Sequence, residues 1–283
     1  MGGGWPIGYE LCNGNDQNTY NFASGTPGGG GIAVVAGNGV YGSLTQIVAA
    51  TTFDTEWMIV FCTVPASYGS SWAWQALCEI AIGPSGSERI IIPDLSFQIA
   101  QSANLNSFYS FPISIPKGTR ISAACCEPVS NADTYGVHLQ LFDGGFTQMS
   151  GAQGVDSIGM TVSTTLGTAV TPGNQVMGSW TQLIAATVHD YMGIIITMDN
   201  QNTAPQSDHW GFDIGIGPSG SEQVLVQSWP MSAAWTGSNG IASINSPSPF
   251  FPTPVPARSR LAVRSISHGG ATGQSITVYG IYR

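Results

Sequence analysis

Charged side chains are scarce in this sequence. Asp, Glu, Lys and Arg account for 8% of the 283 residues, against roughly 25% in ordinary soluble domains, and Lys117 is the only lysine. Protein–protein interfaces show the same depletion of Lys, Glu and Asp. The composition therefore predicts a chain that packs against other chains, either copies of itself or different proteins. A neutral, β-rich secreted protein with a Ser, Thr and Asn surface is the alternative.

Basic clusters and long apolar runs are also lacking. The formal net charge is −9 and no basic run occurs, whereas binding to a phosphate backbone requires clustered Lys and Arg. No apolar run approaches the roughly 20 residues that span a bilayer. The start, MGGGWPIGYELCNGNDQ, shows neither the basic nor the apolar region of a signal peptide. We expect no nucleic-acid partner and no membrane partner.

Motifs of catalytic and metal sites are missing as well. Lys117 follows Pro116 and belongs to no phosphate-binding loop, and Ser87 stands where a nucleophile elbow needs glycine. The four histidines have no metal-ligand spacing. The stretch 207–213, with Asp208, His209 and Asp213, is explained as a polar loop that leads into a strand at 210, and 13–18 as turn-forming residues. The sequence predicts no enzyme, no cofactor and no metal site.

The cysteines do not form a recognisable framework. There are five, with no C-x-x-C pair, and they are too sparse for a disulfide scaffold. Cys62, Cys78 and Cys125 lie in apolar strand-like runs. We expect them to be free, buried thiols that pack as small hydrophobic side chains.

What the sequence does contain is one unit present twice. Three blocks recur in the same order: 38–54 with 174–190, 79–93 with 213–227, and 111–124 with 251–264. A period of more than a hundred residues is too long for a solenoid repeat and indicates a tandem duplication of whole domains. We expect the domain organisation to be a Gly-rich N-terminal arm (1–37), a first copy (38–142), an interdomain segment (143–173) and a second copy (174–283).

Each copy consists of short β-rich runs separated by Gly, Pro, Asn and Ser clusters. Eight such runs in about a hundred residues predict an all-β fold, with two tandem antiparallel β-sandwich domains of jelly-roll type. An immunoglobulin-like sandwich is the alternative, although the second copy lacks the Cys…Trp…Cys core of that fold. The Gly-rich arm is expected to order against a neighbouring subunit.

The heptapeptide IGPSGSE occurs in both copies, at 82–88 and 216–222. Its Gly and Pro predict a hairpin with a type I turn over Gly83–Gly86. The carboxylate that follows the turn has no obvious role in the turn itself. Because an arginine also recurs in each copy, we expect one salt bridge per domain, with the pairs Glu88–Arg120 and Glu222–Arg260.

Aromatic residues cluster in two presumed loops, and they are Tyr68, Trp72, Trp74, Trp229 and Trp235. Solvent-facing Trp and Tyr in such loops can stack on sugar rings. They can equally be buried against a partner subunit, because aromatics are enriched at interfaces. We favour the assembly contact and keep glycan binding as the alternative.

The segments GSWTQLIAAT, DIGIGPSGSEQVLV and FPISIPKGTRISA…YGVHLQLF resemble a recurring β-sandwich unit of tailed-bacteriophage virion proteins. The resemblance covers both copies, about 40–142 and 176–283, but not the Gly-rich segments. It implies a non-enzymatic building block of the particle, such as a head-decoration (cement) protein, and it carries over no catalytic residue.

The leading hypothesis is therefore a capsid decoration protein that is made in the host cytoplasm. It would sit on the virion surface, self-associate, and contact other virion proteins, the major capsid protein first among them. A tail-tip or fibre protein that recognises host glycans through the aromatic loops is the second hypothesis. A double-jelly-roll major capsid protein is the third.

Overall fold

The chain forms strands throughout the part that can be described. The computed structural model describes residues 19–22, 31–63, 74–99, 108–127, 134–143, 151–160, 167–199, 208–235, 241–244, 247–269 and 273–283. These residues contain no helix, so none of them could form a helical membrane span. The all-β prediction is confirmed.

The strands of the first unit are β1 (Thr19–Phe22), β2 (Ile32–Asn38), β3 (Thr45–Val48), β4 (Trp57–Thr63), β5 (Trp74–Ile82), β6 (Arg89–Ile99), β7 (Phe108–Phe111), β8 (Ile121–Glu127) and β9 (Thr134–Phe142). The strands of the second unit are β10 (Gly154–Ile158), β11 (Thr168–Val170), β12 (Gly173–Asn174), β13 (Thr181–Ile184), β14 (Tyr191–Asp199), β15 (Asp208–Ile216), β16 (Gln223–Trp235), β17 (Ile241–Ile244), β18 (Leu261–Ser267) and β19 (Gln274–Tyr282).

Strand pairing in the first unit is nested in the manner of a jelly roll. β2 pairs with β9, β3 with β8, β4 with β7 and β5 with β6, all antiparallel. The nested hairpin is rolled so that β9 also pairs with β4, and β8 with β5. Two facing layers result, with the orders β6-β5-β8 and β9-β4-β7, and β2 joins them. This order agrees with the predicted jelly-roll sandwich.

The second unit repeats this pattern. β11 pairs with β19, β13 with β18 and β15 with β16, while Ile194 of β14 forms a bridge to Phe251. The prediction of purely antiparallel sheets is wrong at one place in each unit, because β2 runs parallel to β8 and β12 runs parallel to β18. In the first unit β2 pairs with β9 and then with β8, whereas in the second unit two successive strands, β11 and β12, pair with β19 and β18.

The two units also share irregular details. Gly42 N–H donates to Cys125 O at 2.9 Å, and Gly178 N–H donates to Ser265 O at 2.8 Å. β6 and β16 each carry a bulge beside a non-glycine residue of positive φ. These residues are Asp94 (φ 51°) and Ser228 (φ 49°). The correspondence is consistent with an internal duplication.

Strands lie inside the two segments that the sequence placed outside the domains. β1 and all of β2 except Asn38 fall within 1–37 and pair with β9, and β10 and β11 fall within 143–173 and pair with β19. The alternation of β2, with Val34 buried and Val35 57% exposed, is typical of a strand with one face in the core. Its short length among glycines concealed this pattern in the sequence.

Each unit has its own apolar core between its two layers. Cys62, Cys78 and Cys125 are buried in the first core and are free thiols, as predicted. Ser122, Ala124 and other small residues let β8 be buried along its whole length. The first core also contains residues of the second unit, so the two units pack directly on each other.

Candidate functional site: the turns and the interface between the two units

The repeated heptapeptide forms a hydrogen-bonded turn in both units. Ser87 N–H donates to Pro84 O, and Ser221 N–H donates to Pro218 O, each at 3.0 Å. The turn therefore begins at proline, one residue later than predicted, and places Gly86 (φ 82°) at its third position. A positive φ at that position is what a type II turn requires. The predicted type I turn over Gly83–Gly86 is wrong for this reason.

The glutamate after the turn does have a role in the turn itself. Glu88 accepts hydrogen bonds from the Gly86 N–H at 2.6 Å and from the Arg120 guanidinium. Arg120 Nε donates in turn to Gln46 Oε1 at 3.0 Å. The carboxylate thus ties the hairpin to two other strands. Its own backbone N–H and Arg120 hold the pKa of Glu88 below its usual range.

The same arrangement occurs in the second unit. Glu222 accepts from the Gly220 N–H at 3.0 Å and from Arg260 Nη1 at 2.9 Å, and Arg260 Nε donates to Gln182 at 3.0 Å. Although burial acts in the opposite direction, the backbone N–H of Glu222 and the Arg260 guanidinium keep the pKa of Glu222 low. Fold-internal contacts of this kind explain why the heptapeptide is identical in both copies without a ligand.

The aromatic residues singled out in the sequence are not all in loops. Trp74 begins β5, and Trp229 and Trp235 lie in β16. The Trp229 ring packs edge-on against Phe251 at 5.0 Å between centroids, on the core of the second unit. Tyr68 and Trp72 lie outside the described residues.

Tyr279 is the central residue of the contact between the two units. It lies on β19, is fully buried, and reaches into the first unit. Its hydroxyl donates to Asp94 O at 2.8 Å and accepts from Ser96 N–H at 3.0 Å. Its ring meets the edges of Tyr109 (5.4 Å) and Phe111 (6.5 Å). The phenol therefore satisfies two backbone groups of β6 and fills the open edge of the first sandwich.

The rest of this contact is mainly apolar, although Ser114 N–H donates to Ala152 O at 2.9 Å and the Arg89 guanidinium donates to Gln153 O at 3.4 Å. The residues of the second unit that belong to the first core are Ala152, Val155, Ile195, Tyr279 and Ile281. Met160 packs on Leu77, Cys126 and Tyr41. We call the residues Tyr41, Leu77, Asp94, Ser96 and Cys126 the receiving face of the first unit, and the residues Ile195, Thr197, Tyr279 and Ile281 the inserting face of the second unit.

Besides Arg89, two carboxyl groups of the first unit bring charge into this region, the buried Glu79 and the partly buried Asp94 of the receiving face. Glu79 is 8% exposed, and burial, with the neighbouring Asp94 carboxylate, raises its pKa to about 7. Burial also raises the pKa of Asp94, although the Tyr41 hydroxyl donates to its carboxylate at 2.7 Å. The first unit thus holds a partly neutral acid pair beside the interface.

In the second unit the corresponding carboxylate is neutralised by an ion pair. Asp213, which corresponds to Glu79, pairs with Arg264 at 2.7 Å and accepts from Ser228 N–H at 2.8 Å. The residue corresponding to Arg264 in the first unit is Ala124. Asp213 lies within strand β15, which begins at Asp208, two residues before the predicted start of the strand at 210.

We expect the free energy of unfolding of the wild-type chain to fall as the pH rises from about 4.5 to about 7. Glu79 is protonated more readily in the folded state than in the unfolded state across this window, so the folded state binds more protons there. Glu79→Gln should flatten this part of the profile and stabilise the chain at pH 8 by about 2 kcal/mol. Urea unfolding at several pH values measures both effects. Glu56→Gln is the matched control, and an unchanged slope in Glu79→Gln would contradict the assignment.

One polar cluster was not foreseen from the sequence. Asp156 Oδ2 accepts from Tyr191 OH at 2.8 Å and lies 2.7 Å from His189 Nδ1, while the His189 ring stacks on Tyr282 at 4.0 Å. Burial, followed by the Asp156 hydrogen bond, raises the pKa of Tyr191. The cluster fixes β10 onto the second unit. No group of metal-ligating side chains occurs among the residues that the structure describes.

No protein-family model matches this chain, and no curated protein matches it. Among solved structures, the STIV MCP is 8% identical to this chain, with a TM-score of 0.39 over 94% of this chain and 96% of that chain. PNGF-II is 10% identical, with a TM-score of 0.38 over 93% of this chain and 64% of that chain. A chain of the Sulfolobus Turreted Icosahedral Virus structure is 10% identical, with a TM-score of 0.32 over 88% and 90%. Likenesses this low assign neither fold nor function, and both rest on the sequence and the geometry.

Proposed function

We propose that this chain is a structural component of a bacteriophage virion, and specifically a capsid decoration protein on the particle surface. The observation that carries the proposal is the way its own two units associate. Tyr279 and its apolar neighbours hold them together without an ion pair among the residues described at the contact. A chain with 8% charged residues has much further surface of the same character. Such surface suits permanent contact with other subunits.

The sequence resemblance to β-sandwich units of tailed-phage virion proteins supports this proposal. The jelly-roll order of the strands is compatible with it. The major capsid protein is the proposed partner, together with further copies of the chain itself. The host glycan alternative gains no support from Trp229, whose ring packs on Phe251.

We propose revised domain boundaries, because they define which residues form the attachment arm. The first unit extends from β1 to β9, and the second from β10 to β19. The attachment arm is then residues 1–18, which lie outside the described residues. A deletion of 1–37 would remove β2, which lies between β8 and β9, and would unfold the first unit.

Deletion of residues 1–18 is expected to weaken attachment to the particle at least about tenfold, or about 1.4 kcal/mol. Particles that lack the chain would be mixed with the full chain or with the deletion variant, and bound protein would be measured after sedimentation. The melting temperature should be unchanged, because the deletion ends before β1. Equal binding of both proteins would remove the role of the arm. Failure of the full chain to bind, together with binding to a glycan array, would contradict the decoration role.

A double-jelly-roll major capsid protein is the second candidate. The observation that favours it is that two units of the same strand order pack side by side within one chain, so that the chain could tile a shell by itself. Copy number separates the two candidates. A shell protein should be the most abundant protein of purified particles, whereas a decoration protein accompanies a more abundant one.

A further inference from the structure

Each chain contains two copies of both faces of the internal contact, but the contact uses only one copy of each. The receiving face of the first unit binds the inserting face of the second. The duplication places a corresponding receiving face on the second unit and a corresponding inserting face on the first. The positions follow from strand register, since Ile59 lies opposite Gln140 as Ile195 lies opposite Tyr279.

The receiving face of the second unit is an open pocket. The residues that correspond to Tyr41, Leu77, Asp94, Ser96 and Cys126 are Met177, Gly211, Ser228, Pro230 and Ile266. All of them line a surface pocket of about 590 Å³. In the first unit the same positions are covered by Met160 and Tyr279 of the second unit. The pocket is therefore the unoccupied counterpart of a contact that the molecule already makes.

The inserting face of the first unit is a partly exposed sheet surface. The residues that correspond to Ile195, Thr197, Tyr279 and Ile281 are Ile59, Phe61, Gln140 and Phe142. Phe142 is buried with Trp57 in a cluster on which Ile59 packs, so Ile59, Phe61 and Gln140 are the partly exposed members. Phe108 of the adjacent strand β7 extends this surface. Its ring lies 5.8 Å from the Phe61 ring, and Phe108 is 38% exposed. Aromatic side chains of this kind are typical anchors at protein interfaces.

We propose that a second copy of this chain docks head to tail, with the partly exposed residues of its inserting face (Ile59, Phe61 and Gln140) and Phe108 against the pocket of the second unit. The contact would place corresponding sheet surfaces together between chains, but with Gln140 at the position of Tyr279 and Pro230, which has no N–H, at the position of Ser96, so it would not repeat the hydrogen bonds of Tyr279. It is heterologous, because each chain contributes a different surface, so it extends to a ring or a fibre rather than stopping at a symmetric dimer. The inference deepens the proposed association of the chain with further copies of itself by naming the two surfaces that meet, and its test requires no particle.

The test uses one charge on each face. Phe108→Glu places a carboxylate on the inserting face, and Pro230→Glu places one in the pocket. Each variant alone should be monomeric, with an apparent dissociation constant raised at least about 30-fold, because the charge would be buried without a partner. Light scattering coupled to size exclusion measures the mass of the wild-type full chain, which should be oligomeric.

Mixing the two variants provides the decisive measurement. Each retains the face that the other has lost, so the mixture should form a complex of two chains and no larger species. Val188→Glu, at an exposed position (69%) in the loop after β13, is the control and should remain oligomeric. Melting temperatures check folding, and Phe61→Glu with Met177→Glu is the second pair if either first variant unfolds. A monomeric wild type, oligomeric variants, or a mixture that stays monomeric would each overturn the proposal, whatever the particle-binding assay shows.

Discussion

Tyr279→Ala is expected to lower the free energy of unfolding by about 3–5 kcal/mol, the usual cost of removing a large buried aromatic side chain. The ring fills the edge of the first sandwich against Tyr109 and Phe111. The hydroxyl satisfies Asp94 O and Ser96 N–H, which would be left without these bonds. Urea unfolding, followed by tryptophan fluorescence, measures the loss.

Two further substitutions separate the contribution of the Tyr279 hydroxyl from that of its ring and compare Tyr279 with the corresponding residue of the first unit. Tyr279→Phe keeps the ring and removes the hydroxyl, so it should cost about 1–3 kcal/mol through the unsatisfied backbone groups of β6. Gln140→Ala changes the corresponding residue of the first unit and should cost less than about 0.5 kcal/mol. Losses of equal size at positions 279 and 140 would show that Tyr279 does not join the two units.

Much of the architecture could be predicted from the sequence, because the duplication shows the same pattern of turns and strands in two places. Gly and Pro mark the hairpins, and apolar residues alternate between them, so most strands from β3 to β9 follow from pattern alone. The exception is β6 (Arg89–Ile99), because the predicted runs 88–92 and 96–101 join into this one strand. The pairs Glu88–Arg120 and Glu222–Arg260 could be proposed because both partners recur in a chain with few charges. Recurrence served here as an internal comparison.

The contact between the units could not be predicted, because the residue at its centre does not recur in the other copy. Tyr279 does in the second unit what no residue does in the first, where Gln140 stands at the same position. Recurrence cannot reveal a residue that one copy alone requires. The strands β1 and β10 were missed as well, since four or five residues among glycines give too few alternations to establish a period.

The buried acids show how the two copies have diverged. In the first unit Glu79 has Ala124 beside it, and burial raises the pKa of Glu79 to about 7. In the second unit Arg264 compensates Asp213, and its guanidinium also lies 4.6 Å from the centre of the Trp180 ring. Glu79 lies beside the interface with the second unit. Asp213 lies beside the open pocket, because it accepts a hydrogen bond from the N–H of Ser228, which lines that pocket.

Arg264→Ala is accordingly expected to destabilise the chain by about 3 kcal/mol at neutral pH, because it leaves the buried Asp213 carboxylate without its cation. Asp213→Asn in the Arg264→Ala background should recover most of the stability, which distinguishes the uncompensated charge from the lost contact with Trp180. Arg283→Ala makes the same change of net charge at an exposed position and should have little effect. If urea unfolding gave equal losses for Arg264→Ala and Arg283→Ala, or no recovery in the double variant, the ion pair would not be what stabilises β15 and β18 in the second unit.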